Sequence, residues 1–158
     1  MKKLLAILMV FITVFFSACS KESKFGIQQF VERMNKTYKT EYQTSDFLLT
    51  KREDENILFL SEKNSLISVF IDNSNYIKGV SLLITADGDI ENAKNTYCQM
   101  CSIFTGNDYE SQMKIFTESE FFNEDIKFAD GNSLITVGRY KYTVVCNDYS
   151  ITFFCNRV

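Results

Sequence analysis

Between Phe47 and Thr85 four short segments rich in apolar and β-branched residues follow one another: Phe47–Lys51, Ile57–Ser61, Leu66–Ile71 and Ile77–Thr85. The polar stretches between them, Arg52–Asn56, Glu62–Ser65 and Asp72–Asn75, are only a few residues long. Parallel neighbours need a crossover of a dozen residues or more, so these segments read as an antiparallel meander. In the last of them Val80, Leu82 and Ile84 alternate on one face, as in a strand with one side in a core.

Helical periodicity flanks the meander. Ile27, Phe30, Val31, Met34 and Tyr38 recur at helical spacing between Phe25 and about Tyr38. A second helix is expected from near Asp89, with Ile90, Ala93, Tyr97, Cys101 and Phe104 on one face and Gly106 as its C-cap. Asn107 followed by Glu110 has the pattern of a cap opening a third helix, with Tyr109, Met113 and Phe116 inward. The acidic stretch Glu118–Asp130 reads as an irregular or partly helical link. A closing hairpin is expected from Leu134–Cys146 and Tyr149–Asn156, turning at Asn147–Asp148. The fold class is therefore α+β: one antiparallel sheet of five or six strands with helices packed on one face, in a single domain over 25–158. Strand order does not follow from these patterns.

Four cysteines fall inside that domain: Cys98, Cys101, Cys146 and Cys155. They are candidates for disulfides, and four cysteines allow three connectivities. If the last hairpin turns at Asn147–Ser150, Tyr142 faces Cys155 and Cys146 faces Ile151, which leaves the two hairpin cysteines too far apart to bridge. A turn centred on Ser150–Ile151 instead sets them opposite one another. Cys101 lies near the centre of the inward face of the second helix and Cys98 at its edge, since each residue advances about 100°. A bridge from Cys101 to the hairpin is one option, and free buried thiols are another. A redox role for Cys98-Gln99-Met100-Cys101 is disfavoured: the first cysteine sits well inside a helix rather than at its N-terminus, and the chain has no proline. Cys146 and Cys155 are too widely spaced for a four-cysteine zinc knuckle.

The N-terminus carries a different signal. Lys2 and Lys3 precede a nearly unbroken apolar run from Leu4 to Phe16, after which Ser17, Ala18 and Cys19 lead into the polar Ser20–Lys24. This is the layout of a secretory signal, and the run is short of the roughly 20 residues that span a bilayer. Phe16-Ser17-Ala18-Cys19 resembles the lipobox of bacterial lipoproteins, with Phe16 where the family usually has Leu or another aliphatic residue. The resemblance implies a signal peptide over 1–18, cleavage before Cys19, diacylglyceryl lipid on its thiol, and a short tether over 19–24. Ordinary cleavage after Ser20 is the competing outcome, because Ala18-Cys19-Ser20 also presents small residues in an A-x-A arrangement. Two or three acyl chains suffice for stable attachment to a membrane.

Composition removes several functional classes. Removing 1–18 takes Lys2 and Lys3 from the 17 basic residues, leaving 15 against 20 acidic ones, a net charge of about −5. That balance disfavours nucleic acid and electrostatic adsorption to anionic lipid. With no histidine there is neither a Ser-His-Asp nor a Cys-His centre, nor a histidine metal site. Asp87-Gly88-Asp89 with Glu91 lacks EF-hand spacing and reads as a turn and helix cap. Glu118, Glu120, Glu124 and Asp125 are candidates for a glycosidase-like acid pair, but clustered acids are more often solvated surface. Tyr140, Tyr142 and Tyr149 form either an aromatic patch or ordinary cross-strand packing. No catalytic residue, metal or cofactor is assigned. The leading expectation is a lipid-anchored envelope module that binds a protein or envelope ligand, the alternatives being a carboxylate hydrolase or a structural role at the membrane.

Overall fold

Local hydrogen-bonding groups decide where each element starts and stops. The computed structural model describes residues 25–51, 55–122 and 126–158. The signal segment, Cys19, Glu124 and Asp125 lie outside the described residues. Helix α1 (Ile27–Tyr38) buries Phe30, Val31 and Met34 and ends on Lys39 in the left-handed conformation. Asn35 fixes its exit: the side-chain oxygen accepts from Thr40 Oγ1 and the Tyr42 N–H, and Nδ2 donates to the Tyr42 carbonyl. Helix α2 (Ile90–Thr105) is capped by Asp89, which accepts the Asn92 N–H, and ends on Gly106 at φ 82°. Helix α3 (Tyr109–Glu118) starts one residue later than the Asn107 pattern indicates. Asp108 is the cap, accepting both the N–H and the hydroxyl of Ser111, while Asn107 donates to Gln112 instead. An ionised carboxylate complements the positive end of the helix better than an amide does.

The sheet has seven antiparallel strands, not five or six. They are β1 (Leu48–Lys51), β2 (Asn56–Glu62), β3 (Ser65–Ile71), β4 (Ile77–Thr85), β5 (Gly131–Val137), β6 (Tyr140–Cys146) and β7 (Ser150–Arg157). The seventh arises because the segment expected as one strand, Leu134–Cys146, is two. Gly138 at φ 59° and Arg139 form a two-residue turn, and Val137 pairs with Tyr140 across it. A glycine at the first central position of such a turn matches the twist of the strands it joins. The final hairpin turns at Asn147–Ser150, where Asn147 Oδ1 accepts the N–H groups of Tyr149 and Ser150. Tyr142 accordingly faces Cys155 and Cys146 faces Ile151.

Strand order is β1-β2-β3-β4-β7-β6-β5. Two meanders thus meet at β4 and β7, the longest strands, and α2 and α3 carry the chain from the centre of the sheet out to its β5 edge. The core lies between the helices and one face of the sheet. On that face sit Leu58 and Leu60, Ile67 and Val69, Val80 and Leu82, Phe153 and Cys155, and Tyr142 and Val144, all buried. Tyr97 is at its centre. Its ring lies 5.2 Å from Phe153 and 5.6 Å from Phe116, and its hydroxyl donates to the Phe154 carbonyl. Phe121 and Phe122, just beyond α3, enter the same cluster, and Phe116 meets Tyr142 edge-on at 5.1 Å.

Tyr97→Phe keeps the ring and removes the hydrogen bond to Phe154, so it should lower unfolding stability by about 1–2 kcal/mol. Phe116→Ala should cost about 3–5 kcal/mol. Urea unfolding checks both, and a Phe116→Ala loss no larger than that of Tyr97→Phe would contradict this core. The Asp108 carboxyl is held below the ordinary carboxylate range, chiefly by the Ser111 N–H and hydroxyl. A lowered folded pKa contributes stability above the unfolded value of about 3.9 that is lost as pH falls through the folded one. The thermal midpoint of the wild type should therefore exceed that of Asp108→Ala near neutral pH and converge with it under acid; an equal gap throughout would refute the cap.

Candidate binding face

The side of the sheet away from the helices is also apolar. Following the register across the strands, one row runs Leu48, Phe59, Ser68, Ser81, Phe154, Thr143, Leu134. Neighbouring rows add Ile57, Phe70 and Gly79 on one side and Leu66, Leu83 and Val145 on the other. Among the described residues no helix packs on this face. An antiparallel sheet with one solvated face ordinarily alternates apolar and polar side chains along each strand. Here β2 reads Ile57-Leu58-Phe59-Leu60, β4 reads Leu82-Leu83-Ile84 and β7 carries Phe153-Phe154, the unbroken apolar runs of strands covered on both sides.

The face has relief. Ser68 and Ser81 lie opposite each other at its centre beside Gly79, and all three are buried although no described helix lies over them. Ile57 on the same face is buried too, at 3% exposure, and Phe59, Phe70, Phe154, Leu66 and Leu83 are half-buried. The periphery is open: Leu48 is 73% exposed, Leu134 55% and Val145 42%. Gly79 is needed where it is, because a Cβ there would come within 2.9 Å of the Cys155 carbonyl oxygen and collide with the Asn156 side chain. The face thus has small residues at its centre and large apolar ones around them, with Lys141, Thr136 and Asn156 in the row of Gly79.

The cysteines point elsewhere. All four are buried free thiols. Cys98 and Cys101 diverge: the Cys98 thiol faces the Tyr109 carbonyl at 3.8 Å, whereas Cys101 is fully buried near Cys155 and Tyr97. Burial pushes the Cys98 thiol up to about 12 and raises Cys101 as well, so neither is a ready thiolate. Burial also raises Cys146, partly countered by a hydrogen bond from the Lys127 backbone. Of the possible pairs, Cys101 and Cys155 are neighbours in the core, where the Cys155 thiol disfavours ionisation of Cys101.

Among the described residues the remaining sequence candidates do not assemble. Tyr142 is buried, Tyr140 packs edge-on against Phe104 at 5.5 Å, and Tyr149 stands 81% exposed in a turn, so the three make no patch. Asp89 caps α2, and among the described residues no group of His, Cys, Asp or Glu is arranged to hold a metal. Glu118 pairs with Lys114 at 3.6 Å at the exposed end of α3. An open hollow of about 270 Å³ beside the α2 N-terminus is lined by Glu62 and Asp89, but the Asp89 carboxylate is committed to the helix cap and Glu62 accepts from Ser65. The second apolar face is not among the sequence expectations, although the apolar runs on β2, β4 and β7 carry its signal.

The chain matches no family model, no curated protein and no solved structure. Among the described residues no helix is long and apolar enough to cross a membrane. What the fold and the face define is a two-layer α+β arrangement in which, among the described residues, helices cover one face of the sheet.

Folded protein should resist iodoacetamide at all four domain cysteines, and unfolding without reductant should expose four alkylatable thiols, counted by mass. A count of two after unfolding would establish a bridge, and peptide mapping should then place it at Cys101–Cys155.

Proposed function

We propose that this chain is a bacterial lipoprotein, held on the outside of a membrane of the cell envelope by lipid on Cys19, whose domain is a non-enzymatic binding module for a protein or envelope ligand. The observation that carries the binding role is the sheet whose strands are apolar on both faces while helices cover one. An apolar surface rimmed by polar residues marks an interaction site more often than a catalytic one. The apolar residues of the open face extend across seven strands and line none of the described hollows, which suits the surface of another macromolecule better than a small substrate enclosed in a cleft. The anchor rests on the N-terminal pattern Phe16-Ser17-Ala18-Cys19. A carboxylate hydrolase is the weaker reading, since Glu62 and Asp89 share only an open hollow and Asp89 is engaged as a cap.

Intact mass of the protein extracted from membranes should show an N-terminal Cys19 carrying acyl chains; an unmodified N-terminus at Lys21 would sink the anchor. For the face, a photoreactive benzoyl-phenylalanine at Phe70 or Val145 in intact cells should give discrete cross-linked adducts, and the same group at Lys36 on the exposed side of α1 should not. Equal adducts from both sides of the domain would remove the assignment.

A further inference from the structure

The two edges of the sheet are treated differently. At one edge β1 is four residues long and ends in Lys51, and both shortness and a lysine discourage strand addition. At the other edge β5 is seven residues, Gly-Asn-Ser-Leu-Ile-Thr-Val, with no charge and no proline. Its register with β6 runs without a bulge from Gly131↔Cys146 to Val137↔Tyr140. Five of its seven residues are exposed and the other two half-buried. Every common device for blunting an edge is missing from β5 itself.

The backbone groups that this edge offers follow from the turn. A two-residue hairpin loop closes on a hydrogen-bonded pair, here Val137 and Tyr140, so Ile135, Ser133 and Gly131 also direct their amides and carbonyls towards β6. Those of Asn132, Leu134 and Thr136 are left pointing outward, and their side chains lie on the open face of the sheet.

We infer that β5 pairs with β5 of a second copy of this chain about a two-fold axis at Leu134, joining the two sheets edge to edge. Isologous pairing sets Leu134 against its own counterpart and Asn132 against Thr136 of the second copy, with roughly six main-chain hydrogen bonds. A strand paired with itself confronts any charge with a like charge nearby, and this one carries none. The flanking charges are complementary: Asp130 precedes the strand and Arg139 follows it, so antiparallel pairing brings Asp130 of one copy beside the turn carrying Arg139 of the other, twice. The exposed Leu134 side chains cover one another, and the open apolar face becomes continuous across both copies. A second copy fits this edge better than an unrelated extended peptide, because the sequence supplies both the uncharged strand and the matched ends.

The test is the oligomeric state of the full chain in detergent by light scattering with the detergent contribution subtracted. The wild type should have twice the chain mass. Thr136→Pro removes only an outward N–H, which an edge strand tolerates, and with Leu134→Lys it should weaken association roughly tenfold or more. Asp130→Arg and Arg139→Asp should each weaken the dimer, and the double exchange should restore it. Circular dichroism, together with an unfolding midpoint in the pairing-deficient variants equal to that of wild type diluted to monomer, separates lost pairing from lost folding. A wild type that remains monomeric across the accessible concentration range would overturn the proposal. So would a dimer indifferent to Thr136→Pro and Leu134→Lys, or a monomer whose edge is instead taken by an added extended peptide.

Discussion

The arrangement depends on Tyr97. Its ring joins three separate parts of the chain, α2, α3 with the residues just beyond it, and β7, while its hydroxyl is tied to the main chain of β7 at Phe154. Burial raises the pKa of that hydroxyl, so it stays protonated and remains a donor. Because α2 follows β4 directly and β7 is the neighbour of β4, one docking contact fixes the helix over the junction of the two meanders. Phe116 and Phe121 then seat α3 and the following turn over Tyr142, so the position of β6 depends on the same cluster.

That single-sided docking explains the asymmetry of the sheet. Three helices of 12, 16 and 10 residues provide one layer, and their buried faces are used up against one another and against one side of the strands. The other side has no described helix to meet, yet its strands carry Phe59, Phe70, Leu83 and Phe154. Ser68, Gly79 and Ser81 are buried at its centre, and the rings of Phe59, Phe70 and Phe154 on the same face are half-buried. The sheet therefore keeps a core-like composition on a face that no described helix covers.

Much of the fold was legible because short-range chemistry fixed it. The span Ile77–Thr85 is the strand its alternation indicates, and the Asn147–Ser150 turn yields the Tyr142–Cys155 pairing from register alone. Two features were not read. The turn at Gly138–Arg139 lies between apolar segments and looks like one long strand, but the inward positions change from odd (Ser133, Ile135) to even (Tyr142, Val144) across it, which a single strand cannot do. The second apolar face is not legible because consecutive apolar residues say that both sides of a strand are covered without saying by what. Strand order is a long-range property, and the meeting of β4 with β7 depends on where α2 docks rather than on any local motif.

Under the proposed anchor, geometry constrains what can occupy the open face. The Phe25 carbonyl accepts the Ile77 N–H at the start of β4, so the chain enters the domain at the β3–β4 end of the sheet, near its middle. Ser20–Lys24 can reach no more than about 18 Å when fully extended. A domain hung so closely by one end of its strands presents that end to the bilayer and turns the sheet face sideways, into the envelope. The lipid surface is then poorly placed to cover Phe70 and Phe154. A neighbouring macromolecule anchored or displayed at the same height is well placed, and the β5 edge, at the far side of the same face, lies in the plane where two such domains would meet.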